Sequence, residues 1–300
     1  MTAPLDRARE RIAATFRAAG VTATLHALDL ASGGELELDG DEPVVLASVF
    51  KVPLVLALHR EHAAGRLDLA TRVRVEERTA GATGIAAMTD PVTISLRDLA
   101  YLAIAVSDNA AADVLFDVVG DAAVAAVAAD LALDGTAIPD RCRDMAAALL
   151  ADSGSATEDE LVHALTTDPR VLERLRIRDP ARTNRSTARE MTALLRAIWE
   201  DRAGPAEGCA AVRQLMRLQV WPHRIASGFP DADMTVAGKT GTAPSIRNEI
   251  AVVELPDGTG VAVAIFTRSD SPVASLPQAD RAIGTAARIA VDALRAARRP

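Results

Sequence analysis

The two ends of the chain mirror one another, and that symmetry limits the folds open to it. Leu5, Ala8, Ile12 and Phe16 recur every three or four residues between Asp6, Arg9, Glu10 and Arg17, so residues 4 to 19 read as an amphipathic helix stopped at Gly20. Two β-favourable runs follow, Val21 to Leu30 and Glu35 to Leu38, around the turn signal Ala31-Ser32-Gly33-Gly34. Near the other end, Ile250 to Leu255 and Val261 to Thr267 flank Pro256-Asp257-Gly258-Thr259-Gly260, and residues 278 to 297 continue as a long Ala-rich helix. Mostly helical sequence lies between. The simplest assembly is an antiparallel sheet built by both termini, covered by the terminal helices, with an all-helical region inserted. The expected class is therefore α+β, an α/β/α sandwich in one domain over 1–300. Residues 1–47 and 225–300 form the sheet and terminal helices, and 48–224 the mainly helical part.

Aromatic residues make up only 3% of a chain that is 49% apolar, so the core must be built from Ala, Val, Leu and Ile on closely approaching helices. The net charge is −8, and no long Lys/Arg block appears outside the terminal Arg295-Ala296-Ala297-Arg298-Arg299-Pro300, which argues against nucleic acid or an anionic membrane as partner. Cys142 and Cys209 show neither C-x-x-C nor metal spacing and read as two free thiols of a reducing compartment. The N-terminus lacks the apolar stretch of a secretory leader or anchor. A cytoplasmic protein is expected, or a secreted one if a leader has been removed. His59 and His62 share a helix face but do not make H-E-x-x-H; they read as a partly exposed surface, with no metal. No glycine pattern fits a phosphate-binding loop, so no cofactor is expected.

Three short strings carry the chemistry: Ser48-Val49-Phe50-Lys51, Ser107-Asp108-Asn109 and Lys239-Thr240-Gly241-Thr242. Ser48 precedes a helical run, where its plain role would be an N-cap. Lys51, one turn later, points to the same face. A serine needs a base, and a lysine can serve only if burial or a second cation destabilises its ammonium. Val49, Phe50, Val52, Leu54 and Val55 offer the burial, and Lys239 the second cation. Ser107 or Asp108 could cap the next helical run, Ala110 to Val119. The third string reads as an edge strand in which Gly241 lets a substrate backbone approach closely.

S-x-x-K, S-D-N and K-T-G in this order are the signature of class A β-lactamases and penicillin-binding proteins. The chain resembles that serine hydrolase family over most of its length. The resemblance implies that Ser48 is the acylated nucleophile and Lys51 its base, that Ser107 relays a proton to the leaving nitrogen, and that Asn109 donates to the substrate amide and to Lys51. It makes Asp108 structural, Lys239 a supplier of charge, and the Ser48 and Thr242 amides the oxyanion donors. Thr240, Thr242 and Arg247 would grip a substrate carboxylate; Arg224 is a further candidate but reads more simply as a surface arginine.

One part is missing. Class A enzymes carry a glutamate after the S-D-N helix as deacylation base, whereas the corresponding stretch here, Ile138-Pro139-Asp140-Arg141-Cys142-Arg143-Asp144-Met145-Ala146, has none. Asp144 or Asp140 could replace it, or could simply begin a helix. Extra helical sequence follows (144–150, 158–165, 169–177), and the resemblance resumes at Thr183-Asn184-Arg185-Ser186-Thr187, with Thr187 and Glu190 as a capping-box pair. The expected function is cofactor-free hydrolysis of an amide, lactam or ester bearing a carboxylate, β-lactams first. Two alternatives stay open: an amidase, esterase or acyltransferase of metabolite biosynthesis, and a penicillin-binding sensor or scaffold that acylates once and stops.

Overall fold

Both ends of the chain supply the central sheet. In the computed structural model, which describes residues 2–298 apart from 77, 80, 272 and 274, helix α1 (Thr2–Ala18) leads into strands β1 (Thr22–Asp29) and β2 (Glu35–Leu38). A short β3 (Val44–Val45) and a 3₁₀ turn (Ala47–Phe50) bring the chain to α2 (Lys51–Ala63). Strands β4 (Arg72–Val75) and β5 (Val92–Ser95) pair as a separate ribbon, and α3 (Leu96–Tyr101) runs through a π-helical turn (Leu102–Val106) towards α4 (Asn109–Val119) and α5 (Asp121–Asp130). The inserted region continues as α6 (Cys142–Ser153), α7 (Glu158–Thr167) and α8 (Val171–Arg174). Strand β6 (Arg185–Ser186) pairs with β3, and α9 (Ala188–Trp199) and α10 (Ala206–Arg217) follow. A 3₁₀ turn (Ile225–Gly228), strands β7 (Thr235–Ala243), β8 (Ile246–Glu254) and β9 (Gly260–Arg268), and α11 (Pro277–Ala297) complete it.

The sheet runs β2-β1-β9-β8-β7, antiparallel throughout. Strands β8 and β9 are buried along nearly their whole length, because both faces of the sheet are covered. Their side chains still alternate. Ala251, Val253, Val263 and Ile265 join Ile12 and Phe16 of α1 and Ile283, Ala287 and Val291 of α11 in one apolar cluster. Ile250, Val252, Ala262 and Ala264 join the cluster under the helical region.

Within that region α2 is buried from Lys51 to His59, as expected of a helix apolar on almost every side. His59 is therefore no surface residue: it is 8% exposed, and burial lowers its pKa to about 4. Thr187 caps α9 by accepting the Glu190 amide, but the Glu190 carboxylate does not return to Thr187; it takes the Gly135 amide and the Thr136 hydroxyl, tying α9 to the loop before α6. Strand β7 is the sheet edge nearest the helical region, which sets K-T-G opposite S-x-x-K.

Candidate active site

Ser48 sits in the 3₁₀ turn ahead of α2, and neither turn nor helix uses a side-chain cap. Its hydroxyl is thus not spent on capping. Ala47 beside it has φ 46° and Ser107 across the cleft φ 64°. A left-handed non-glycine residue costs about 1–3 kcal/mol and persists where its surroundings over-determine it. For Ala47 the constraint is visible. A Cβ on Gly241 would lie 2.7 Å from the Leu46 carbonyl oxygen, 3.2 Å from Val49 Cγ2 and 3.3 Å from Ala47 Cβ. In this structure the close approach that Gly241 permits is to the Ser48 turn.

Both lysines are fully buried and converge on Ser107. Lys51 Nζ donates to the Ser107 carbonyl at 2.7 Å and to Asn109 Oδ1 at 2.8 Å. Lys239 Nζ donates to Ser107 Oγ at 2.9 Å and to the Thr240 carbonyl at 2.8 Å. Asn109 accepts from Lys51, the reverse of the expected direction, because an ammonium has only donors. The π-helical turn and the left-handed Ser107 bring that residue's carbonyl and hydroxyl to two different cations. Asp108 is buried and holds the bend, accepting the Ile85 amide at 2.5 Å and the Ala111 amide at 3.2 Å.

Burial pushes the Lys51 pKa down, while the Cys142, Asp108 and Asp113 side chains pull it partly back. Lys239 is driven further below its ordinary value, by burial first and by the Lys51 and Arg224 cations next. Two buried cations side by side favour one of them being neutral, the state a lysine needs to take a proton from serine.

Ser48, Ser107, Asn109, Thr240, Thr242 and Arg247 all line one open cleft of about 490 Å³, within the size range of small-molecule sites. The Thr240 amide and carbonyl point off the open edge of β7, to Gln219 and Lys239. Alternation along a strand puts the Thr242 amide on the same edge.

Arg224, read as a surface residue, is 3% exposed. Its guanidinium donates to Asp280 at 2.7 Å, to the Gly241 and Asn248 carbonyls at 2.9 and 2.8 Å, and to Thr242 Oγ1 at 2.8 Å. It braces the end of K-T-G, and Asp280 balances its charge. Arg247 is also buried and donates to the Ala243 and Ile246 carbonyls.

Asp144 serves its own helix. Its carboxylate accepts the Arg141 amide at 2.9 Å at the N-terminus of α6, and it does not line the cleft. Asp140 likewise accepts the Thr183 hydroxyl at 3.0 Å. The side chain that this stretch turns towards Lys51 is Cys142, which sequence reasoning treated only as a free thiol. It is buried beside Lys51, and burial pushes its pKa up to about 11. Among the described residues no group of His, Cys, Asp and Glu could hold a metal ion, and no helix is long and apolar enough to cross a membrane.

The model of the β-lactamase enzyme family matches residues 7–294. The chain belongs to this family. It is 32% identical to the β-lactamase regulatory protein BlaB of Streptomyces cacaoi, over 92% of this chain and 94% of that one. It is 28% identical to a β-lactamase of Amycolatopsis lactamdurans, over 90% and 80% respectively. Among solved structures it is similar to a β-lactamase from Sphaerobacter thermophilus, with a TM-score of 0.77 and 26% identity over 95% of this chain and 96% of that chain. PBP-A superposes with a TM-score of 0.76 at 20% identity, over 99% of this chain and 97% of that chain. The fold of this β-lactamase-family chain is thus the β-lactamase/transpeptidase-like one, with the five-stranded sheet on one side of the cleft and the helical region on the other.

Proposed function

We propose that this β-lactamase-family protein forms an acyl-enzyme at Ser48 from an amide, lactam or ester that carries a carboxylate, β-lactams being the first class to test. The convergence of two buried lysines on Ser107 carries the reading. Lys51, neutral in the reactive state, takes the Ser48 proton as Oγ bonds to the carbonyl carbon. The Ser48 and Thr242 amides receive the developing oxyanion. Ser107 Oγ then gives its proton to the departing nitrogen, or to an ester's departing oxygen, as that bond to the carbonyl carbon breaks, and recovers one from the lysine pair, which holds the proton taken from Ser48. Thr240, Thr242 and Arg247 meet the substrate carboxylate.

Hydrolysis requires a further step, in which water attacks the acyl carbon. Two readings separate there. A hydrolase needs a base for that water; a sensor keeps the acyl group. The second reading is favoured by Cys142, since a thiol with a pKa of about 11 is neutral at pH 7 and cannot serve as that base. It also fits the kinship with a protein named as regulatory. A biosynthetic amidase, esterase or acyltransferase would use the same acyl-Ser48 with a different donor or acceptor.

The test is intact-protein mass spectrometry over time with a penicillin and a chromogenic cephalosporin, beside Ser48→Ala. A transient adduct with colour development supports a hydrolase, and a stable adduct supports a sensor. In either case Ser48→Ala must stay unmodified. No adduct with any lactam would refute the lactam reading and move the search to esters and other amides.

A further inference from the structure

Glu249 of β8 lies directly opposite Thr240 in the β7–β8 register, is completely buried, and has no part in the mechanism above. Its two oxygens are committed to different elements. Oε2 accepts the Ile225 amide at 2.6 Å, the first residue after Arg224. Oε1 accepts Gln219 Nε2 at 2.7 Å, and the other end of that amide, Gln219 Oε1, accepts the Thr240 amide at 2.6 Å. Only one orientation of the Gln219 amide serves both neighbours, since Thr240 offers an N–H and Glu249 accepts. Gly238 makes room for the pair: a Cβ there would lie 2.7 Å from Glu249 Oε1 and 2.9 Å from Gln219 Nε2.

We propose that Glu249 is a positioning residue for the acylation site, its carboxylate locking the Lys239–Thr242 edge to the turn that carries Arg224 through Gln219 and the Ile225 amide. This rests on the acyl-Ser48 reading given above. The two elements it joins bear Lys239, the Thr242 amide and the guanidinium that braces Thr242.

A carboxylate does this because it has only acceptors, whereas a protonated acid or an amide turns one of its two ends into a donor. That end would then face either the Ile225 N–H or the Gln219 NH₂, and a reversed Gln219 would present NH₂ to the Thr240 N–H. Burial raises the Glu249 pKa to about 7, opposed by the Ile225 and Gln219 hydrogen bonds and by the charges facing it, Arg224 ahead of the 3₁₀ turn and Lys239 on β7. The lock is therefore engaged above about pH 7 and released below it.

The experiment compares lactam acylation of full-length wild type, Glu249→Gln, Glu249→Asp and Gln219→Ala from pH 6 to 8.5, with a thermal melt of each. Glu249→Gln is expected to acylate about tenfold more slowly at pH 8.5, the factor for losing one well-placed hydrogen bond. The gap should close to within about twofold at pH 6, where the wild-type carboxyl carries a proton. Its melting temperature at pH 8.5 should fall by no more than a few degrees, because removing a buried charge offsets part of the hydrogen bonding lost. Gln219→Ala should match it, and Glu249→Asp should recover part of the rate.

Equal rates and pH profiles in wild type and Glu249→Gln would overturn the proposal, as would a rate loss that merely follows a lower melting temperature. Should Glu249→Gln fail to fold, unimpaired acylation of Gln219→Ala overturns it. If wild type forms no adduct with any lactam, the acyl-Ser48 reading fails on its own. Hydrogen exchange in the segment containing Thr240 then decides: about tenfold faster exchange in Glu249→Gln at pH 8.5 supports the lock, and equal exchange refutes it.

Discussion

Replacing Asp108 by alanine should cost stability through two particular amides. The carboxylate is fully buried and takes the Ile85 and Ala111 amides, both on residues that are themselves buried. Loss of the α4 N-cap is worth about 1 kcal/mol. Leaving the Ile85 donor unpaired, away from water and stripped of a charged acceptor, adds about 2 kcal/mol. The total is about 3 kcal/mol. With an unfolding entropy of about 2.1 cal/mol/K per residue, the 300 residues carry about 0.6 kcal/mol/K, so the melting temperature should fall by about 5 °C. Asp108→Asn keeps one acceptor and turns an NH₂ on the other amide, so it should fall between wild type and alanine. Asp108 also supports the protonated form of Lys51, and its removal should shift the alkaline rise of acylation to lower pH. Thermal melts by circular dichroism at pH 7.5 provide the measurement. A shift below about 1 °C for Asp108→Ala, or an asparagine variant worse than alanine, would refute the assignment of those amides.

His59, neutral in the fold with a pKa of about 4 against 6.5 for the free side chain, binds a proton more readily when unfolded. Stability is then complete above pH 6.5 and declines by up to about 3 kcal/mol as pH falls to about 4; His59→Gln should flatten that decline in urea titrations, and an unchanged slope would contradict it. Cys142 and Cys209 are both buried and free, so an aromatic disulfide reagent at pH 8 should leave both untouched in the native protein and consume both after denaturation. Cys142→Glu should set a carboxylate beside Lys51 and shorten the life of a lactam adduct at least about tenfold; an adduct as stable as that of wild type would show that more than a base is missing.

The elements most legible in the sequence were those whose cause is local. β-Favourable runs bounded by turn residues marked the terminal hairpins, and a 3.6-residue period, imposed by a single covered face, marked α1 and α11. The three motifs were legible because one helical turn fixes Lys51 relative to Ser48. The misreadings share a different cause. Arg224 resembles any loop arginine until the end of K-T-G and Asp280 close around it. Beside Gly241 packs the Ser48 turn, almost two hundred positions earlier, and no local sign in the sequence marks that contact.

Cys142 and Glu249 were illegible for the same reason, and they bear most on what the site can do. Neither stands in a motif. Each is set by which way one short stretch turns once the helical region and the sheet have docked. In the Cys142 stretch Asp113 accepts the Cys142 and Arg143 amides at 2.7 and 3.0 Å, while Asp144 takes the Arg141 amide. Those bonds use up the nearby carboxylates and leave a thiol facing Lys51. A sequence search for a replacement base finds Asp140 and Asp144 because they are acidic and near. Asp144 is held by the start of α6 and Asp140 by Thr183, so the chemistry of acyl release depends on how that stretch is tied down as much as on the three motifs.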